Sequence, residues 1–447
     1  MTAAEDEGMS AQGLAPGQAP APVPARRGLP AVLATATAIP AAGQLAVQLT
    51  AAFTLAVAAR RLDAPTFGAY VVAATILGTA AALVDSGLTP LGVRESTWHP
   101  ERADETFRTV LVLRVALSLP FVVATWLAFV VLVPAGVHGS GWAGGVLAAA
   151  VLVTGVGGSY RVPAQARLQL AGVTIADVAG RLATQGLLLL AVLALAPAPH
   201  AAMITLPLAA GCSVTAVGCV VLCRKIAPLR PWRLLPRPMW MPILHSAWPL
   251  GLAMVINQMY FRADMLVVSA SRPSVDIGAY GLAYRVLEAA NVFGALFQAA
   301  VFPVLSAAVT TPARWRFLAL RSTAVMGAAG VLLAGGGLLL SPFVVRLLGG
   351  GNYPTAAPTL SVLLVAGGLA WVNGVLGLLI ITLDRQRQAL WLNVTALLVN
   401  VSLCVAVVPE WGILAAAWVG VASELVMLLG NLAMLRRWAP KEVGADG

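Results

Sequence analysis

Charge is what this sequence lacks most. Only 10% of its 447 residues are Asp, Glu, Lys or Arg, against about a quarter in soluble domains, while 59% are hydrophobic and mean hydropathy is +0.87. A water-soluble globule is excluded. Lysine is nearly absent, with only Lys225 and Lys441, and no GxxxxGK[ST] run occurs, so ATP hydrolysis at a P-loop is excluded as well. His99, His138, His200 and His245 are scattered without metal-ligand spacing, and no cofactor is expected. Cys212, Cys219, Cys223 and Cys404 sit in apolar runs without a CxxC pair and read as small packing residues. No polar stretch is long enough for a separate catalytic or nucleotide-binding domain, so the chain is not expected to be an enzyme.

What is present is a series of apolar runs of membrane-spanning length. They fall at about 30–58, 67–90, 106–134, 141–164, 172–196 and 201–223, then 242–270, 277–306, 317–347, 356–382, 388–408 and 411–435. The expected fold is therefore an all-α polytopic membrane protein of about 12 transmembrane helices. Arg224, Lys225, Arg230, Arg233 and Arg237 crowd the gap between the two sets of six with four prolines. The expected organisation is a tail over 1–28, a six-helix lobe over 29–223, a basic cytoplasmic linker over 224–241, a second six-helix lobe over 242–437 and a tail over 438–447. The acidic start at Glu5, Asp6 and Glu7 and the Ala/Pro/Gly stretch behind it read as a disordered cytoplasmic tail, not a signal peptide.

Lys and Arg locations set the orientation. With the N-terminus inside and sides alternating, twenty of the 28 basic residues fall inside and Arg60, Arg61, Arg272 and Arg346 outside. Both termini are thus expected in the cytoplasm, with the chain in the cell membrane. The net charge of +10 is accounted for by these inner loops, and nucleic-acid binding is excluded. An internal echo pairs Arg61–Tyr70 (RLDAPTFGAY) with Arg272–Tyr280 (RPSVDIGAY). Six spans separate the copies, so the lobes are expected to be like-oriented, related by a pseudo-two-fold axis along the membrane normal. Facing bundles of that kind suit alternating access.

Charges inside spans are costly and either pair or line a path. Arg114, Arg181, Arg262 and Arg285 lie within spans, with Asp177, Asp264, Glu288 and Glu424, and Asp85 lies near the inner end of span two. The near balance allows helix-to-helix salt bridges and a substrate pathway about equally. Asp177 and Arg181, four apart, are expected to satisfy each other. Arg262 and Asp264, two apart, point to different sides of a helix, and matching depths offer the cross-pairs Arg262 with Glu288 and Asp264 with Arg285. Arg285, Glu288, Asn291 and Gln298 share roughly one face of span eight, which is expected to look into the bundle. Arg114 and Glu424 have no local counter-charge.

These motifs resemble the polysaccharide-biosynthesis (O-antigen-type) flippases of the multidrug/oligosaccharidyl-lipid/polysaccharide exporter superfamily. The resemblance rests on Arg60–Tyr70, on Asp85-Ser86-Gly87-Leu88, on Val93-Arg94-Glu95, on Arg262-Ala263-Asp264 and on Ile277–Glu288 (IGAYGLAYRVLE). Phe302–Leu305, Leu348–Tyr353 (LGGGNY) and Gly412–Ala417 also fit, although Ala415 stands where the family often has Gly. It implies two six-helix lobes around a cationic cavity that export a polyprenyl-pyrophosphate-linked oligosaccharide to the outer leaflet, with H+ or Na+ antiport a common proposal. Arg94 and Arg262 match family arginines and Asp264, Arg285 and Glu288 recurring polar positions, while the charges within spans make Arg114, Arg181, Arg262 and Arg285 the candidate substrate contacts. Asp264, Glu288 and Glu424 are the coupling-ion candidates, and Asp85 and Arg94 the motif positions. The implied partners are the lipid-linked oligosaccharide, membrane lipids and the polymerase or glycosyltransferases of polysaccharide assembly. A cation-exporting multidrug antiporter of the same superfamily and a non-transporting assembly scaffold are the alternatives. The lipid II branch, with two further spans, finds no room here.

Overall fold

The computed structural model describes residues 47–85, 87–133, 137–167, 169, 171–195, 201–224, 241 and 251–438. The expected tails, most of the basic linker and the inner part of span one lie outside the described residues. Among the described residues nine helices are long and apolar enough to cross a membrane, and the chain is a multi-pass membrane protein. Hydrocarbon offers the backbone no partner, so long apolar runs of Ala, Leu, Val and Gly must pair their peptide groups internally, and the helix does so within one segment.

In chain order the helices are α1 (47–61), α2 (Ala64–Asp85), α3 (Leu88–Trp98), α4 (Ala103–Leu132), α5 (Ser140–Ser159), α6 (Arg161–Ala166), α7 (Ala171–Leu195) and α8 (Ala202–Cys223). The second half runs α9 (251–260), α10 (Ala263–Ser271), α11 (Ser274–Ala308), α12 (Pro312–Gly349), α13 (Ala356–Thr382) and α14 (Gln386–Trp438). The two-lobe, twelve-span fold expected from the sequence is the one observed. The four cysteines are unbridged.

Three departures from simple spans carry physical reasons. The first is α14, one continuous helix by hydrogen bonding yet two spans in space, because Gly412 sits at φ 77 and the carbonyl of Pro409 is turned out to accept from Arg272 at 2.9 Å. Asn400 donates to the Ser423 hydroxyl at 3.2 Å across a stretch that a straight helix would extend over about 35 Å, so the chain folds back on itself. Second, the run expected to extend to residue 90 stops at Asp85. Gly87, at φ 76, turns the chain into a separate short helix, α3. The third departure matters most for the site: the expected continuous span 242–270 breaks at Phe261–Arg262, between α9 and α10. The break frees the Phe261 carbonyl, which accepts from the Tyr284 hydroxyl on α11. Asp264 sits in the first turn of α10, where the helix dipole favours an anion, and accepts from its neighbouring Met265 N–H at 2.7 Å.

The lobes meet along α2 and α11, where the echoed GAY motifs lie. A Cβ on Gly281 would come within 2.5 Å of Val71, and one on Gly278 within 3.0 Å of Phe67 and 2.9 Å of Tyr353. Only glycine permits this approach. At the same end, Arg60 caps the C-terminal carbonyl of Leu347 on α12 and Asn352 donates to the Ala59 carbonyl of α1. Each lobe's turn satisfies the other lobe's helix end, and the Phe67 and Tyr353 rings, 5.4 Å apart, pack beneath.

Candidate functional site

Beside this contact lies a cavity of about 760 Å³, walled by α1, α2 and α7 from one lobe and by α9, α11, α12 and α13 from the other. It opens between the lobes because the polar face of α11 looks inward, as its spacing requires. Arg285, Glu288, Asn291 and Gln298 all line it. Arg262 reaches it from the break after α9, and Arg181 from α7.

Glu288 is shared by two arginines. Arg262 Nη2 lies 2.8 Å from one carboxylate oxygen and Arg285 Nη1 donates to the other at 2.9 Å. The first is the cross-pair that depth matching predicts. Arg262 also faces the Tyr284 ring at 5.9 Å, the same ring whose hydroxyl satisfies the helix break, so one aromatic residue fixes both the bend and the guanidinium. Arg181 is exposed to the cavity and has no carboxylate partner among the described residues.

The other expected pairs are corrected. Asp264 does not reach Arg285; it accepts from the Tyr280 hydroxyl and from Met265 N–H, is 8% exposed and lies off the cavity lining. The reason is the helix break, which rotates α10 relative to α9. Asp177 does not pair with Arg181 but with Arg161, at 2.7 Å, a residue that sequence counting placed in the inner loop. Arg161 starts the short helix α6, which carries it back against α7. Arg114 also lies outside the cavity: only 3% exposed, it donates to Asp85 and to Thr89, and Thr89 itself donates to Asp85 at 2.6 Å. Arg94 is exposed on α3, 4.9 Å over the Trp98 ring.

Glu424 is buried in the second lobe, accepting from the Tyr260 hydroxyl at 2.9 Å and from the Asn373 side chain at 2.7 Å, with Asn431 donating to Asn373 at 3.3 Å. It too lies off the cavity lining.

The consequence is electrostatic. The sequence suggests near balance, yet the fold withdraws Asp85, Asp177, Asp264 and Glu424 into separate contacts and leaves three guanidiniums and one carboxylate among the described lining residues. The described lining therefore carries a net charge of +2. Such a site attracts anions, and planar guanidiniums match phosphate oxygens in bidentate fashion. Residues that sequence reasoning left aside complete the wall, among them Gln48, Thr184, Gln185 and Trp371. Gln185 follows Arg181 by one turn, a spacing that could have flagged it, whereas Trp371 offered no local signal. Its indole N–H donates to Asn291 at 3.1 Å.

Three comparisons bear on this geometry. A family described as polysaccharide biosynthesis protein matches residues 33–309. No curated protein matches. Among solved structures, the lipid II flippase MurJ in an inward closed conformation is similar, with TM-score 0.69 at 11% identity over 89% of this chain and 87% of that chain. An inward-facing multidrug resistance MATE family transporter of the MOP superfamily gives TM-score 0.66 at 14% identity over 88% of this chain and 94% of that chain. An outward-facing one gives 0.56 at 15% identity, over 91% and 94%. At these identities the likeness speaks for the fold.

Proposed function

The chain belongs to the polysaccharide biosynthesis protein family, and from that premise we propose that it moves a polyprenyl-pyrophosphate-linked oligosaccharide from the inner to the outer leaflet of the cell membrane by alternating access. The observation that carries this reading is the net +2 cavity between the lobes, with Arg181, Arg262 and Arg285 as the phosphate contacts. A pyrophosphate and glycan cannot cross hydrocarbon unaided, because each uncompensated buried charge costs many kcal/mol. A polar cleft opening toward lipid supplies partners while the prenyl tail stays in the membrane. A cation-exporting antiporter would need carboxylates where this wall offers guanidiniums, and a mere scaffold would need no cavity.

In this proposal the lobes at 29–223 and 242–437 are joined by the 224–241 linker, both termini face the cytoplasm, and the sealed side is the outer one. The cavity lining then runs inward along α11 from Tyr284 to Gln298. Coupling to H+ or Na+ falls to Asp264, Glu288 or Glu424. Arg114 belongs to the lobe's internal structure and drops from the substrate contacts. The test is reconstitution of the chain in liposomes with a labelled lipid-linked oligosaccharide and a reagent that reads only outward-facing glycan. Arg262→Gln and Arg285→Gln should each abolish the signal at unchanged protein level, and undiminished transport by both refutes the assignment.

A further inference from the structure

Resting on that reading, we infer that the glycan carried is uncharged. A pyrophosphate joining a prenyl chain to a sugar bears two negative charges, one per phosphate. The described lining bears a net charge of +2, so the pyrophosphate alone exhausts it. A carboxylate on the sugars would enter the same confined space without a counter-ion, at the cost that burying an unpaired charge always carries. In sequence, residues 30–46 and 242–250 contain no Asp, Glu, Lys or Arg, and their one titratable side chain is His245.

The remainder of the wall is built for hydroxyl groups. Beyond Arg285 and Glu288, α11 presents the amides of Asn291 and Gln298, the last about 20 Å from Arg285 along the helix. Gln298 is admitted because Gly374 has no side chain: a Cβ there would lie 2.2 Å from the amide nitrogen. On α7, Gln185 lines the cavity, and its side-chain oxygen is buried without a hydrogen-bond donor among the described residues. An unpaired buried acceptor costs free energy unless a ligand or water supplies the proton, and sugar hydroxyls supply it. The Trp371 indole is buried behind these amides and holds Asn291 in place through its N–H. Amides recognise sugars through their hydroxyls, and to a uronic acid they offer hydrogen bonds but no counter-charge.

Three synthetic lipids decide the matter with the full-length chain in detergent and in liposomes. All share one polyprenyl pyrophosphate; the first carries a neutral trihexose, the second the same trisaccharide with one hexuronic acid, and the third a methyl cap in place of sugar. The neutral glycan should bind at least about tenfold more tightly than the acidic one. Gln185→Leu should weaken the neutral glycan about tenfold and leave the methyl-capped lipid unchanged. Gln298→Arg should bring the acidic glycan to the affinity of the neutral one. Equal or tighter binding of the acidic glycan by the unaltered chain overturns the inference, as does an equal loss for the methyl-capped lipid in Gln185→Leu. Binding of none of the three lipids instead refutes the lipid-pyrophosphate reading on which it stands.

Discussion

Glu288 competes with the substrate for two arginines, and removing its charge should tighten anion binding. The substitution Glu288→Gln keeps the shape of the side chain while releasing Arg262 and Arg285, which hold it at 2.8 and 2.9 Å. In Coulomb terms one such pair at about 4 Å and an effective dielectric of about 20 is worth about 4 kcal/mol, but desolvation and side-chain entropy return most of that. Exposed pairs retain under about 1 kcal/mol and charge-assisted hydrogen bonds about 1.5–3 kcal/mol. The side chains of Arg262, Glu288 and Arg285 are 18%, 27% and 30% exposed, between these limits. An incoming phosphate must therefore displace an internal contact worth about 2 kcal/mol, and its absence should lower Kd about thirtyfold. Calorimetry with a short-chain prenyl pyrophosphate sugar at fixed ionic strength reads this directly. Arg262→Gln serves as the opposite control and should raise Kd at least about tenfold. An unchanged or higher Kd for Glu288→Gln, with Tm unaltered, refutes the competition. The same logic constrains coupling. A proton or Na+ on Glu288 would act like the glutamine, helping the anion to bind, and by reciprocity the two would travel together. Antiport, which needs opposed occupancy, is therefore expected to use Asp264 or Glu424, both off the cavity wall.

Arg114→Met should act on folding and not on binding: it leaves Asp85, part-buried and still accepting from Thr89, without its cation and should cost about 2 kcal/mol, read as lost Tm and lower abundance. The double variant with Asp85→Asn should recover most of that, and failure to recover would argue against the pair. Glu424→Leu leaves the Tyr260 hydroxyl without its acceptor and the Asn373 amide with only the Glu424 backbone carbonyl, and should destabilise by about 1–3 kcal/mol in thermal unfolding, whereas Glu424→Gln should cost less than half as much. Gly281→Val drives methyl groups into Val71 and should penalise the sealed state by about 1–3 kcal/mol. A cysteine placed at Tyr70 should then react faster with an outer-side thiol reagent; an unchanged rate would show that the α2–α11 contact does not close the cavity.

The sequence by itself determined the membrane character, the twelve spans in two sets of six, and the roster of buried charges. These are local properties: hydrophobicity adds residue by residue, and a charge announces itself against an apolar background. The inward face of α11 was legible because helical spacing alone aligns Arg285, Glu288, Asn291 and Gln298. Which charge meets which was another matter, except where two short spans joined by one turn fixed a common depth, as for Arg262 and Glu288. Tyr260 and Glu424 meet across 164 residues, and no local pattern encodes that. The break at Phe261–Arg262 was equally hidden, since it involves neither Pro nor Gly and is sustained by Tyr284 from the next helix. Only the tertiary structure decided the sign of the cavity. It did so by supplying four of five acids with partners elsewhere, turning a nearly neutral list of residues into a cationic surface.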